Sequence, residues 1–230
     1  MQSEIWKTFD SISKSYDRIN RILSFGIDLY WRNTLTKKVY QKKSLSLLDC
    51  ATGTGDQLFS IAGKISTLQQ GVGIDLANKM LEIAKEKLEK LPYKNKISFK
   101  EASLLAIPFS DESFDCATIS FGIRNVSDVD LGLKEMLRIL KKGGKALILE
   151  FSMPSNFLTR KLYLLYLRHA LPLIGRLLSR HHMAYRYLNE SIESFPSGKD
   201  FCKKMEDAGF QSVSAHPLTF GIATIYEGTR

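Results

Sequence analysis

The chain has 230 residues, 44% hydrophobic and 25% charged, which fits a soluble globular protein of one domain, with or without an appendage. Its three cysteines, Cys50, Cys116 and Cys202, are far apart and form no CxxC pair, so no disulfide framework and no metal site are expected, and a reducing compartment is. The net charge of +9 favours an anionic partner, a nucleic acid or a membrane surface, or else reflects only a basic average. Lys and Arg gather in no short block and no nucleic-acid motif occurs, so no nucleic-acid partner is expected. No apolar run is long enough to span a membrane, and Glu4, Lys7 and Asp10 stand where a secretory signal would need apolar residues. The expected location is the cytoplasm.

Residues 1–40 read as an amphipathic helical cap, with Ile5, Phe9, Ile12, Tyr16, Ile19 and Leu23 mostly three or four apart. Leu45 to Cys50 is an apolar strand ending in a glycine turn. Leu58, Ile61 and Ile65 then resume a helical period. Gly71 to Asp75 reads as a second strand and Asn78 to Leu91 as a helix with a Lys/Glu-rich face. Strands are expected at Ile97 to Glu101 and Phe114 to Ser120. A helix from Asp128 to Leu140 is closed by Lys141-Lys142-Gly143-Gly144. A fifth strand spans Lys145 to Phe151, and Phe157 to Leu188 is mainly helical. After a helix from Asp200 to Ala208, strands at Gln211 to His216 and Leu218 to Tyr226 are joined near Pro217.

Strands alternating with helices predict an α/β fold with a parallel sheet covered on both faces. The final two strands leave no room for a crossover, so that pair is antiparallel. A mostly parallel seven-stranded sheet with an antiparallel C-terminal strand is the Rossmann-like arrangement of class I S-adenosylmethionine-dependent methyltransferases. Such folds bind ligands at the carboxyl ends of the first strands.

The turn Asp49-Cys50-Ala51-Thr52-Gly53-Thr54-Gly55-Asp56 carries the cofactor reading. Gly53 and Gly55 permit a sharp turn and close approach of backbone to a ligand. A dinucleotide fingerprint would need a third glycine where Leu58 stands. Asp56 opens the following helix, where a carboxylate disfavours phosphate and tolerates a sulfonium and an ammonium; as a residue taken alone it is equally a helix cap. Asp75 ends the second strand, placed to accept hydrogen bonds from ribose hydroxyls. Together they point to S-adenosylmethionine, bound by Gly53, Thr54, Gly55, Asp56 and Asp75. Ser103 and Leu104, after the third strand, fall where the adenine is expected, and Ser120, ending the fourth, where the methyl group is delivered.

The chain resembles the ubiquinone/menaquinone biosynthesis C-methyltransferases nearly end to end. The resemblance rests on Tyr16-Asp17-Arg18-Ile19-Asn20, Ser24-Phe25-Gly26 with Trp31, Thr118 to Val126, Arg138 to Gly144, Leu149 to Ser152, and Tyr185 to Ile192 followed by Phe195-Pro196. Asp28 and Leu29 stand where members often have His-Arg, a departure at the pocket rim. The resemblance implies methyl transfer to a ring carbon of a polyprenylated quinol, either demethylmenaquinol or the benzoquinol of ubiquinone synthesis. A phenol ionises near pH 10, so the quinolate needs help to form. Arg124 is the candidate for that by its charge, with Tyr16 as a second catalytic candidate and Asp17, Asn20, Asn125 and Tyr185 lining the substrate. Arg124 is equally a partner for a helix carboxyl end or for Asp128, and the tyrosines are equally half-buried aromatics. His181 and His182 read as a solvated helix end and His169 as a rim residue.

Residues 153–196 form a basic, aromatic-rich insert, with Lys161, Arg168, Arg176 and Arg180 among Leu and Tyr. It is expected to cover the substrate and to meet a membrane surface at the inner face of the cytoplasmic membrane; a lid packed on the sheet or a homodimer interface are the alternatives. A cofactor-binding scaffold without turnover and a nicotinamide-dependent reductase are the rival functions. The intact glycine turn with Asp75 speaks against the first, and Leu58 and Asp56 against the second.

Overall fold

The computed structural model describes residues 13, 17–39, 42–173 and 182–230. Seven strands form one sheet: β1 (Leu45–Cys50), β2 (Leu68–Asp75), β3 (Ile97–Glu101), β4 (Phe114–Ser120), β5 (Leu140–Phe151), β6 (Gln211–Leu218) and β7 (Ala223–Thr229). Their spatial order is β3-β2-β1-β4-β5-β7-β6. β1, β2, β3, β4 and β5 pair in parallel, and β7 runs antiparallel to both β5 and β6.

The central strands are buried on both faces, as a parallel sheet between helices requires. Their side chains alternate between two cores with the period of two that a pleated strand imposes. Leu48, Ala117 and Ile148 join one core, with Leu133 and Met136 of α4 (Val129–Ile139) and Phe201 and Met205 of α7 (Lys199–Asp207). Leu47, Cys116 and Leu147 join the other, with Trp31 and Leu35 of α1 (Ile27–Lys38) and Leu58 and Ile61 of α2 (Asp56–Ala62). α3 (Asn78–Leu88) buries Met80, Leu81 and Ala84 at helical spacing. A third, smaller cluster packs at the end of β5, against Phe151. It joins Ile19 and Leu23, from a helical segment at 17–23, to Tyr163, Leu167 and Leu171 and to Ile192 of α6 (His182–Ser194). Tyr163 belongs to α5 (Phe157–Leu165), which runs on through a π-helical turn at Tyr166–Ala170.

The predicted elements appear with three corrections. The cap is not one helix: Phe25 and Gly26 are left-handed, at φ 52° and 75°, and break it before α1. Leu140 to Gly144 is strand rather than helix end, because Leu140 pairs with Phe114 of β4 across an irregular register. The last two strands are joined at Thr219–Gly221, not near Pro217. Pro217 sits inside β6 opposite Thr224, tolerated because β6 is the edge strand and a missing N–H there breaks no ladder on its outer side.

Candidate active site

The chain order along the sheet reverses between β1 and β4, which opens a crevice at their carboxyl ends. Two non-glycine residues flank it in left-handed conformation, Ala51 at φ 46° after β1 and Phe121 at φ 60° after β4. Such residues are uncommon and concentrate at ligand sites. The sequence packs the two turns tightly: a Cβ on Gly122 would lie 2.7 Å from that of Ala51.

In the glycine turn, Gly53 has φ 56° and nothing lies within 4 Å of where its Cβ would be, so glycine leaves an open, accessible backbone. Gly55, at φ 84°, is close-packed instead, its Cβ position 2.7 Å from the Phe59 ring. Asp75 accepts the Gly53 N–H at 2.8 Å through one oxygen and the Ala77 N–H at 2.8 Å through the other. A carboxylate offers about four acceptor positions, so these bonds fix its direction and still suit a pair of ribose hydroxyls. Open backbone at Gly53, an acidic residue at the end of β2 and no third glycine fit S-adenosylmethionine and not a pyrophosphate.

Asp56 is not a bare carboxylate. It accepts from Lys87 at 2.9 Å and from Arg21 at 3.3 Å. Burial pushes its acidity down, and Lys87, Arg32 and Arg21 reverse this, so its pKa lies below the usual carboxylate range. Lys87 also donates to Asp17 at 2.6 Å and to the Thr54 hydroxyl at 3.1 Å, and Thr54 donates to Asp17 at 2.7 Å. The N-terminal segment is thereby clasped to the cofactor turn. Sequence reasoning saw only a Lys/Glu-rich face on α3 and missed Lys87; only the third dimension brings it to residue 54. Behind the turn, Asp49 accepts from Thr52 and Thr118, each at 2.6 Å. Burial outweighs those bonds and lifts its pKa to about 6.

Ser103 accepts the Leu105 N–H at 3.1 Å, capping the turn after β3. The Leu104 side chain is in the core, against Gly132. Ser120 donates to Gln57 at 3.2 Å; Gln57 is buried and donates in turn to Thr36 of α1.

Beyond Ser120 and Phe121 lies a cavity of about 420 Å3, lined from three segments of the chain: Ile19, Asn20 and Leu23 from the N-terminal segment, Trp31 and Arg32 from α1, Tyr163, Tyr166 and Leu167 from the insert. Phe121 and Phe151 stack at 4.6 Å on one wall. Arg124 lines the cavity, though only 6% exposed. It donates to the Glu150 carboxylate at 2.6 Å and to the Phe121 carbonyl at 2.8 Å. Its charge partner is thus Glu150, on β5, and neither a helix end nor Asp128, which caps α4 by accepting from Leu131. Tyr187 donates to Asn125 at 3.2 Å, Tyr166 to the Leu23 carbonyl at 2.6 Å and Trp31 to Thr219 at 2.8 Å.

Of the sequence-predicted residues, Gly53, Thr54, Gly55, Asp56, Asp75 and Asp17 meet at the turn, and Asn20, Arg124 and Asn125 at or beside the cavity, with Ser120 between. Tyr16, His181 and the side chains of His182 and Tyr185 lie outside the described residues, and His169 is exposed. Arg32, Tyr163 and Tyr166 were missed, their signal being only a position on the apolar or aromatic face of a helix. Asp28, at the departure from the usual His-Arg pair, accepts from Ser24 at 2.7 Å and from Arg21. It therefore steadies the turn before α1 and the clasp at Asp56.

Solved structures share the fold. A methyltransferase from Thermotoga maritima matches over 97% of this chain and 99% of its own, with TM-score 0.65 and 21% identity. The fold and the glycine-turn site together define an S-adenosylmethionine-dependent methyltransferase. Within that class the chain belongs to the ubiE/COQ5 methyltransferase family, whose model matches residues 1–230. A ubiquinone/menaquinone biosynthesis C-methyltransferase UbiE of Geotalea daltonii is 44% identical over 227 residues, 99% of this chain and 96% of that relative. A demethylmenaquinone methyltransferase of Bacteroides fragilis is 36% identical over 227 residues, 99% of this chain and 92% of that relative.

Proposed function

We propose that this enzyme methylates a ring carbon of a polyprenylated quinol, converting demethylmenaquinol to menaquinol. The observation that carries the reading is an apolar, aromatic cavity holding two guanidinium groups directly beyond Ser120. Relatives named for both menaquinone and ubiquinone synthesis support a quinol acceptor. When bound, S-adenosylmethionine supplies a methyl group electrophilic enough for a carbon nucleophile. Gly53, Thr54 and Asp75 bind it from the turn side, with Ser103 and Leu104 bordering the adenine and Ser120 the transfer position. Described residues of the N-terminal segment, α1 and the insert, among them Ile19, Trp31, Tyr163 and Leu167, wall the cavity and exclude water. The quinol hydroxyl loses its proton, the ring carbon takes the methyl group as the carbon–sulfur bond breaks, and loss of the ring proton restores aromaticity. Arg124, held by Glu150, donates to the quinol oxygen, and Asn20, Asp17 and Asn125 shape the rim. Turnover on short-chain demethylmenaquinol and on the corresponding benzoquinol tests this. Methylation of the naphthoquinol is expected; transfer only to the benzoquinol moves the assignment to ubiquinone synthesis, and transfer only to a nitrogen or oxygen acceptor overturns it.

The same reading places the cavity mouth at a membrane. α5 is apolar on both sides: Tyr163 faces the cavity, while Phe157 and Leu158 are 79% and 64% exposed, with exposed Leu165 two turns beyond Leu158. Residues 157–173 contain Arg160, Lys161 and Arg168 and no Asp or Glu. An apolar face flanked by cations suits an anionic bilayer that holds the polyprenyl tail. No described helix is long and apolar enough to cross a membrane, so contact is from one side. Phosphatidylglycerol vesicles are expected to sediment the wild type and not the Leu158→Glu/Leu165→Glu variant. Self-association without vesicle binding would assign the face to a second copy instead.

A further inference from the structure

Two guanidinium groups line the cavity, and their charges are in different states. That of Arg124 is cancelled in place: Glu150 sits 2.6 Å away, and both side chains are buried. That of Arg32 is not. Its Nε is buried with no hydrogen-bond partner, as is that of Arg124, but among the described residues no carboxylate lies within ion-pair distance of it, Asp28 on the same cavity wall being bonded to Arg21 and Ser24. Its one close partner is the face of Phe121, with Cζ 5.3 Å from the ring centroid. The carboxylates that feel its charge through space, Asp49 and Asp56, are bonded elsewhere, the first to Thr52 and Thr118, the second to Lys87 and Arg21. A buried donor left unpaired is rare enough in a folded protein to need a reason. A guanidinium with an uncancelled charge beside an apolar cavity has one when an anion is formed there.

The geometry is symmetric in a way that suits the substrate. Phe121 and Phe151 stack on each other; Arg32 rides on Phe121 and Arg124 on Phe151, at 5.3 and 5.2 Å. A para-quinol carries one oxygen at each end of its ring, so a ring laid against this wall offers an oxygen to each guanidinium.

We propose that Arg32 is the anion-binding residue of the reaction: it holds the ionised quinol oxygen, while the neutral Arg124–Glu150 pair orients the other end of the ring. This rests on the quinol reading above. The equilibrium that Arg32 shifts is quinol to quinolate, with the proton released to solvent. Arg124 acts there as a hydrogen-bond donor, since a cation already paired with a buried carboxylate adds little net field.

The test compares wild type with Arg32→Gln and Arg32→Lys. Three readouts are used: turnover against pH on a short-chain quinol, S-adenosylmethionine affinity by calorimetry, and the ionisation of a bound alkyl naphthol followed by its absorbance. Arg32→Gln is expected to lower kcat about 100-fold near neutral pH, to move the acid limb of the profile up by about two pH units, and to raise the pH at which bound naphthol ionises by the same amount, a hundredfold being two units. Arg32→Lys is expected to recover much of both, and cofactor affinity to stay within about twofold. A loss of thermal stability with unmoved profiles would make Arg32 a packing residue for Phe121. A large loss of cofactor affinity would make its anion the methionine carboxylate. Either result overturns the proposal while leaving the quinol reading intact. A wild type that neither binds the naphthol nor methylates a quinol would break that reading, and this proposal with it.

Discussion

The two halves of the crevice are built by different means. The cofactor half is made of backbone and short polar side chains at the ends of adjacent strands, and a single stretch, Asp49 to Asp56, supplies most of it. The cavity half is made of long apolar and aromatic side chains from segments far apart in the chain, joined in the satellite cluster of Ile19, Tyr163 and Ile192. Backbone geometry at a strand end is set locally, so the first half has a compact signature in the sequence. A cavity wall needs only bulk and polarity at the right place, which many sequences satisfy, so the second half has almost none. Charge follows the same division: ion pairs at the turn are partly solvated and networked, whereas among the described residues the cavity keeps one fully buried pair and, in Arg32, a cation with no carboxylate in ion-pair distance.

The sharpest way to break this comparison is at the buried pair. Glu150→Ala leaves Arg124 without its counter-charge and is expected to cost about 3–5 kcal/mol of stability, measured by denaturant unfolding. Arg124→Met/Glu150→Leu is expected to regain most of that stability and none of the turnover. A loss under about 1 kcal/mol for the single variant would mean that the cavity pair is no more committed than those at the turn.

The second effect lies under the turn. The Asp49 carboxyl titrates near pH 6 when folded, against 3.8 for the ordinary group. The folded state therefore binds the proton more tightly, and stability from this group rises as pH falls from about 6 to about 4, by about 3 kcal/mol in all. Asp49→Asn removes that dependence. Thermal melts of both proteins across the window check it, and parallel curves would refute the burial argument.

The smallest effect sharpens the contrast. Lys87 is a third exposed and shares its charge between Asp17 and Asp56, so each contact is worth well under 1 kcal/mol. Lys87→Met is expected to weaken cofactor binding about fivefold through the loosened Thr54 and Asp17, with the wild-type affinity falling as salt is raised. Unchanged calorimetry would reduce the clasp to a structural tie.

Much of the fold was legible because burial on both faces forces long apolar runs in β1, β4 and β5. The boundaries that failed did so where tertiary pairing overrode local signals. Leu140 to Gly144 carries a helix stop and became strand because Leu140 pairs with Phe114 and the Gly143 N–H and Gly144 carbonyl bond the Arg230 backbone. Pro217 carries a turn signal and stayed in β6 because an edge strand has no partner on one side.

The sequence alone determined the sheet, the crevice at its switch point and the class of cofactor, since periodicity and the glycine turn are constraints between neighbours in the chain. Only the tertiary structure decided which charges are cancelled. Lys87 meets Asp17 and Thr54, Glu150 neutralises Arg124, and Arg32 is left with an aromatic face. Coulomb energy depends on distance in space and on burial, and neither can be read from distance along the chain.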